Sequence, residues 1–329
     1  MKQSCFLAAL GVLALSAGSI LRGDGKDDLS PTVAPPQPAV NIPISQEFDV
    51  EGAYDSPSEF RQGNAHTGPV DNTYAHGDYV VSPQISDAVL LRFGVDAERN
   101  SFGLPSSNAV SLPNTLQSVN AIIGADFAVN DKILIRAELH PGIYSDFVRI
   151  TGSDIDVPVQ IGGTYLWSKD FQIIFGLQID LKSNLPIIGL PGFRWQFADK
   201  WVLDAIPPNP QLQYELTNTV TLYAGAEILG GTYHLNDDFG YYHGHPGPTP
   251  TGNAQLDGHI VDYDEVRLGV GVTWKFNPNV SLDVSGGYVP YREYDMHPDH
   301  IGFSDENTIF HNNLGGGGAY TEVGLKGSF

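Results

Sequence analysis

Hydrophobic and polar residues alternate along most of the chain, and the pattern is clearest between Glu265 and Tyr288. Apolar side chains occupy every second position from Val266 to Phe276, and again, with one glycine, from Val280 to Tyr288. Because successive side chains of a β-strand point to opposite faces, this stretch predicts two strands joined by a tight turn at residues 277–279. The predicted hairpin has one apolar face and one polar face.

The same alternation runs from Asp87 to the last residue and predicts about twelve antiparallel strands. Short turns, such as 130–131 and 169–170, alternate with long connections, such as 236–258 and 293–316. Short periplasmic turns opposite long extracellular loops are typical of outer-membrane barrels. We therefore predict an all-β fold, a transmembrane antiparallel up-and-down β-barrel of about twelve strands. The short proline corner at 207–210 predicts stubby or bent strands on either side of it.

The N-terminal part of the chain predicts export rather than a folded domain. Lys2, an apolar run from Phe6 to Leu15 and small residues at 16–18 form the pattern of a secretory signal peptide, assigned to residues 1–23. Residues 24–85 are predicted to be a proline-rich periplasmic linker followed by a loosely ordered segment, for which plugging the barrel is an alternative. The barrel is assigned to residues 86–329.

Composition narrows the function classes. The chain has 17 Lys and Arg against 38 Asp and Glu, a net charge of -21, which opposes binding to nucleic acid and leaves cationic partners open. After the first twenty or so residues, no run is apolar enough to cross a bilayer as a helix. The only cysteine, Cys5, lies in the predicted signal segment, so the mature chain has no thiol for catalysis or metal binding. No motif indicates a cofactor.

The last strand ends on an aromatic residue, Phe329, after alternating apolar positions that include Val323 and Leu325. A terminal aromatic on such a strand resembles the signal read by the barrel assembly machinery of the outer membrane. We predict that Phe329 is this assembly signal, and that the partners of the chain are this machinery and outer-membrane lipid. The sequence does not indicate an oligomeric state.

Several glycine- and aromatic-rich segments resemble an uncharacterised family of outer-membrane β-barrel proteins. These segments are residues 185–190, 194–201, 207–210, 222–227 and 230–233, and the resemblance covers about residues 85–329. It implies the barrel fold and the bacterial outer membrane as the compartment, and it implies no activity.

Charged residues that alternate with the apolar positions are predicted to face the barrel lumen. They are Arg92, Asp126, Arg136, Glu138, Arg194, Glu227, Arg267, Lys275, Glu322 and Lys326. Ion pairs across the wall would rigidify a closed barrel, whereas an unpaired strip would line a pore. A barrel of about twelve strands lies between those that are filled and those that leave a channel, so both alternatives stay open.

Histidines near acidic residues in the long connections are candidate metal ligands. His243, His245, His297 and His300 lie near several aspartates, and imidazole with carboxylate suits Zn²⁺, Cu²⁺ or Ni²⁺. No known metal motif matches, so solvated loop histidines are the favoured interpretation.

The favoured function is a small pore or a structural protein of the cell envelope, without enzymatic activity. One alternative is a lipid-modifying barrel enzyme, although the chain has no Gly-x-Ser-x-Gly motif. A second alternative is a cation-binding surface protein that uses the histidine-bearing loops.

Overall fold

The structure, a computed structural model, describes residues 44–62, 65–104, 112–236, 258–298 and 310–329, and most of these residues form β-strands. The first eight strands are β1 (Ile44–Gln62), β2 (Ala65–Ser86), β3 (Val89–Gly103), β4 (Thr115–Asn130), β5 (Ile133–Leu139), β6 (Gly142–Ser145), β7 (Ile155–Asp156) and β8 (Val159–Ser168). The remaining strands are β9 (Phe171–Ile179), β10 (Ile187–Ala198), β11 (Trp201–Ala205), β12 (Gln211–Glu215), β13 (Val220–His234), β14 (His259–Asn277), β15 (Val280–Pro298), β16 (Phe310–Gly315) and β17 (Gly318–Ser328). A single turn of 3₁₀ helix, Gly152–Asp154, precedes β7. No helix in the described residues has the length and hydrophobicity needed to cross a bilayer.

Fourteen antiparallel strands form a closed barrel. β16 and β17 follow one another along the same edge of β15 and are counted as one strand of the wall, and the short strands β6 and β7 are not counted. The barrel closes where β1 pairs with β17, from Glu47↔Ser328 to Asp55↔Tyr320. The backbone N–H of Phe329 also donates to the carbonyl of Gln46 at 2.8 Å. Closure leaves the wall without the exposed strand edge that would otherwise favour aggregation.

The structure corrects both the number of strands and the start of the barrel. The two additional strands are β1 and β2, which lie within the region 24–85 that was expected to be linker and loosely ordered chain. Pro57 and Pro69 interrupt the sequence pattern here, and the β1–β2 register shifts between Asp55 and Ser58 and between Phe60 and Arg61. Such bulges let strands tolerate proline. The predicted signal segment and proline-rich stretch, residues 1–43, lie outside the described residues.

The outer face of the wall is apolar. Outward side chains such as Val270, Val284 and Val323 are exposed by 64%, 45% and 52%, whereas the alternate positions point into the lumen. Aromatic rings cluster at the end of the barrel that carries the short turns, here called the turn end. Ring pairs there include Trp195–Phe197, Phe197–Trp201, Trp201–Tyr214 and Trp274–Phe276, with centroids 4.8–6.4 Å apart. An apolar belt with an aromatic girdle is the exterior that lipid contact requires.

The barrel wall is shorter on the side formed by β11 and β12. β11 and β12 have only five residues each and are joined by residues 206–210, which contain a cis Pro207–Pro208 peptide. Above this corner, among the described strands, β10 has no pairing partner on the β11 side before Phe193. The connection between β5 and β8 reaches over the lumen here, because Ser145 of β6 pairs with His234 of β13. The end of the barrel opposite the turn end is here called the loop end. At this end, the connection between β5 and β8 covers the side where the wall is short.

The interior at the loop end is filled by an apolar plug. The plug consists of Phe60, Val70, Phe102, Leu112, Leu116, Tyr233, Leu235, Val261, Tyr263, Tyr294 and Met296, each no more than 6% exposed. Phe102 of β3 contacts Tyr294 of β15 edge-on, with ring centroids 5.3 Å apart, so the plug reaches from one wall to the other. Protein interiors pack at crystal-like density, and these contacts form a packed cluster within the described part of the loop end.

Candidate functional site

Below the plug lies an acidic cavity, which is the candidate functional site. It is lined by Glu51, Tyr74, His76, Asp78, Asp96, Glu98, Ser118, Asn120, His140, Tyr144, Pro158, Gln178, Asp180, Pro208, Asn209, Glu227, Ile228, Leu229, Gly231, Thr232 and Tyr233. The space bounded by these residues is about 840 Å³, part of it open to solvent. Six of the lining residues are Asp or Glu, and among the described lining residues none is Lys or Arg.

The register of β1, β2 and β3 explains why so many carboxylates meet on one side of the cavity. Asp78 of β2 lies between Asp49 of β1 and Asp96 of β3, and in the next row His76 lies between Glu51 and Glu98. These six residues, here called the carboxylate ladder, share the inner face of the wall. Like charges directly opposite one another on neighbouring strands are destabilising. The ladder therefore places five acidic side chains close together, and Lys326 contacts one of them, Asp49.

A buried ion-pair network lies beside the acidic cavity and shares Glu227 with its lining. Arg267 of β14 is 0% exposed and contacts carboxylate oxygens of Asp55, Glu227, Glu265 and Glu322 at 2.7–3.3 Å. Its guanidinium also lies between the rings of Tyr74 and Tyr320, 5.4 and 5.3 Å from their centroids. Arg292 donates to Glu265 and Asp55, both at 2.6 Å. Two guanidinium groups thus serve four acidic side chains.

A chain of polar contacts runs from the ladder along the inner wall. His76 Nε2 lies 2.7 Å from an oxygen of Asp96, and Asn120 Nδ2 donates to the other oxygen of Asp96 at 2.7 Å. Asn120 Oδ1 lies 3.4 Å from His140 Nδ1, and His140 Nε2 lies 3.6 Å from Glu138. The chain of contacts links the four neighbouring strands β2, β3, β4 and β5.

The predicted lumen residues take part in ion pairs inside the barrel, with one exception. Arg92 contacts Glu138 and Glu47, Arg136 contacts Asp126, Arg194 contacts Asp204, and Lys326 contacts Asp49. Arg267, Glu227 and Glu322 meet in the network described above. Lys275 is half-buried on the same face of β14 as Arg267, and no ion pair of its side chain is found among the described residues. Both signs of charge occur, but the pairs lie beside the acidic cavity and leave its carboxylates in excess.

The histidines predicted as metal ligands are only partly described. His297 is buried near the loop end of β15, with Nε2 3.3 Å from Asp262. His243, His245 and His300 lie outside the described residues. The grouping of these four histidines therefore stays a prediction.

His76, Asp78 and Glu51 were not among the predicted site residues, because the region that contains them was not assigned to the barrel. A signal was present in the sequence. Glu47, Asp49 and Glu51 occupy every second position of β1, which is the spacing of an inner face.

A closed antiparallel barrel with an apolar exterior and a charged interior defines the class of outer-membrane β-barrels. The family model described as "Domain of unknown function (DUF6268)" matches residues 71–326, and the chain belongs to this family. The resemblance to an uncharacterised barrel family is thereby confirmed. No curated protein matches the chain.

Solved structures that are similar to the chain are bacterial barrels of low sequence identity. The COG4313 outer membrane channel from Pseudomonas putida F1 is 10% identical, with a TM-score of 0.41, covering 90% of this chain and 100% of the channel. The toluene transporter TbuX of Ralstonia pickettii is 9% identical, with a TM-score of 0.37, covering 87% and 89%. The translocator domain of the autotransporter NalP from Neisseria meningitidis is 12% identical, with a TM-score of 0.35, covering 100% and 95%. Function has to be argued from the residues of the chain itself.

Proposed function

We propose that the chain is a channel protein of the bacterial outer membrane whose lumen prefers cations. The observation that carries this proposal is the acidic cavity, in which six carboxylates meet without a lysine or arginine in the described lining. The apolar belt and the aromatic girdle support placement in the membrane, with the turn end in the periplasm and the loop end outside. The predicted export signal is consistent with this placement.

The charge of the cavity is large enough to select ions. A carboxylate about 6 Å from a monovalent cation contributes about 3 kcal/mol at an effective dielectric constant of about 20. Screening by salt reduces this figure, but an anion is repelled by as much as a cation is attracted. When the free energy of the cation in the cavity remains about 1.4 kcal/mol below that of the anion after screening, the selectivity is tenfold.

In this proposal the apolar plug holds the channel in a closed state. The ring contacts among Phe102, Tyr263 and Tyr294 support it, because they fill the lumen at the loop end. Conduction therefore requires the plug to rearrange. Truncation of a plug side chain is expected to make openings more frequent, because it removes contacts that hold the closed state.

Planar-bilayer recordings test the proposal. Wild-type protein is expected to give rare openings, and the variants Phe102→Ala and Met296→Ala are expected to open at least several-fold more often. Val270→Ile, a conservative change on the outer face, is the matched control and should behave as wild type. Retention of the compact, heat-modifiable band on gel electrophoresis shows that each variant is folded.

A structural role in the envelope is the second candidate, and the buried network around Arg267 favours it, because such a network rigidifies a barrel. The two candidates differ in one result. If plug variants that are folded give no current above the lipid background, the channel proposal is wrong and the structural role remains.

A further inference from the structure

The carboxylate ladder contains a cluster with the donor set and geometry of a metal site. His76 and Asp78 lie two residues apart on the inner face of β2, and Asp96 lies directly opposite Asp78 on β3. One ligand atom from each of the three residues lies within 4.8 Å of the other two. His76 Nε2 is 2.7 Å from Asp96 Oδ2 and 4.0 Å from Asp78 Oδ2.

These distances are close to those that a tetrahedral ion imposes. With metal–nitrogen and metal–oxygen bonds of about 2.1 Å, two ligand atoms of one ion lie about 3.4 Å apart. Asp96 would withdraw by about 0.7 Å and Asp78 approach by about 0.6 Å, shifts that carboxylate rotamers allow. The side chains of His76, Asp78 and Asp96 are 14%, 15% and 21% exposed, so a fourth position stays open towards the cavity.

The surrounding residues supply the supporting contacts that metal sites require. Glu51 Oε1 lies 3.6 Å from His76 Nδ1, the nitrogen opposite the proposed metal position. This distance is longer than a hydrogen bond, and a movement of about 0.5 Å on metal binding would let the carboxylate accept the Nδ1 proton while Nε2 binds the metal. On the other side, Asn120 donates to Asp96 Oδ1 at 2.7 Å and fixes the orientation of that carboxylate.

The basic side chains near the ladder contact carboxylates other than those of the proposed site. Lys326 contacts Asp49, and Arg92 contacts Glu138 and Glu47. Across the cavity, Gln178 is 8% exposed, and its Oε1 has no hydrogen-bond partner among the described residues. A buried acceptor without a donor is costly, so it also indicates that the cavity holds a cation or the water that hydrates one.

We propose that His76, Asp78 and Asp96 bind one divalent transition-metal ion in the lumen, of which Zn²⁺ is the best match. One imidazole and two carboxylates suit Zn²⁺, whereas Ca²⁺ and Mg²⁺ favour all-oxygen sites with more ligands. The site rests on the proposed cation preference of the lumen, but it does not require that ions pass through the barrel.

Titration calorimetry with ZnCl₂ at pH 7.5, on the full chain refolded in detergent, tests the site. Wild-type protein is expected to bind one Zn²⁺, and His76→Ala and Asp96→Asn should each weaken this binding at least tenfold. The matched control is the triple variant His243→Ala, His245→Ala and His300→Ala, which removes three of the four other predicted ligands and should bind as wild type. Heat-modifiable gel migration identifies folded variants, and Asp78→Asn provides a further test if His76→Ala does not fold.

Equal affinity in wild type and in the folded His76→Ala variant would overturn the site, as would a loss of binding confined to the triple loop variant. Failure here is distinct from failure of the channel proposal, because binding is measured at equilibrium without a membrane potential. Zn²⁺ binding without ionic current retains the site and refutes conduction. Current without Zn²⁺ binding retains conduction and refutes the site.

Discussion

We expect Arg267→Met to lower the free energy of unfolding more than the replacement of an exposed arginine does. The guanidinium is fully buried, and its loss leaves Asp55, Glu227, Glu265 and Glu322 with Arg292 as the only guanidinium in the network. Removal of one partner from a buried ion pair costs about 3–5 kcal/mol. Each of the two ring contacts adds about 1 kcal/mol. Since methionine recovers part of the packing, the expected loss of unfolding free energy is about 5 kcal/mol.

Urea unfolding of the protein in lipid vesicles, followed by tryptophan fluorescence, measures this loss. Arg99→Met is the matched control, because Arg99 is exposed on β3 and its contacts to Ser101 and Gln117 lie on the surface. Its effect should stay within about 0.5 kcal/mol. The double variant Arg267→Met with Glu322→Gln should recover part of the loss, because it removes one of the carboxylates left without a guanidinium. A loss below about 1 kcal/mol for Arg267→Met would refute the reasoning.

Three further predictions concern the wall. Val270→Arg on the exposed outer face should cost about 2–4 kcal/mol in vesicle unfolding, and Val270→Ile almost nothing, so tolerance of arginine would refute the outward orientation of Val270. The ring of Phe329 stacks on Phe48 at the barrel seam, with centroids 6.3 Å apart, and deletion of Phe329 should lower the yield in membrane fractions whereas Phe329→Tyr should not. Normal yield of the deletion would refute its role as assembly signal. A Cβ at Gly271 would lie 2.2 Å from the ring of Tyr223, so Gly271→Ala should destabilise the barrel by about 1–3 kcal/mol. In a protein that already carries Tyr223→Ala, the same substitution should not have this extra cost. Additive losses in the double variant would refute the clash.

The twelve strands after Asp87 were predictable because apolar residues alternate where each strand faces outward. The first hairpin was not. Its outer face carries Val50, Tyr54 and Tyr79, but Gly52, Thr73 and Ala75 lie between them along the strands and weaken the hydrophobic contrast. Packing across a closed wall compensates for this weak local signal. The alternate acidic positions of β1 were the better indicator.

The candidate site could not be assembled from the sequence for a different reason. Arg267 and Asp55 are 212 residues apart in the chain and meet only because the barrel closes. The His76 cluster depends in the same way on the register between β2 and β3, and a shift of one residue would turn its members to the outer face. The sequence indicated which residues are charged and face inward; the closed fold determines which of them become neighbours.

The proposed cation preference is tested most directly by the reversal potential across a planar bilayer with a tenfold KCl gradient, measured on the frequently opening Phe102→Ala variant. The predicted potential has the sign of potassium selectivity and approaches the limit of about 59 mV for a monovalent cation. Adding Glu51→Gln and Asp78→Asn should move it towards zero, because two acidic groups of the cavity are replaced by neutral amides. A potential of zero, or one of the opposite sign that these substitutions leave unchanged, would contradict a cation-selective lumen.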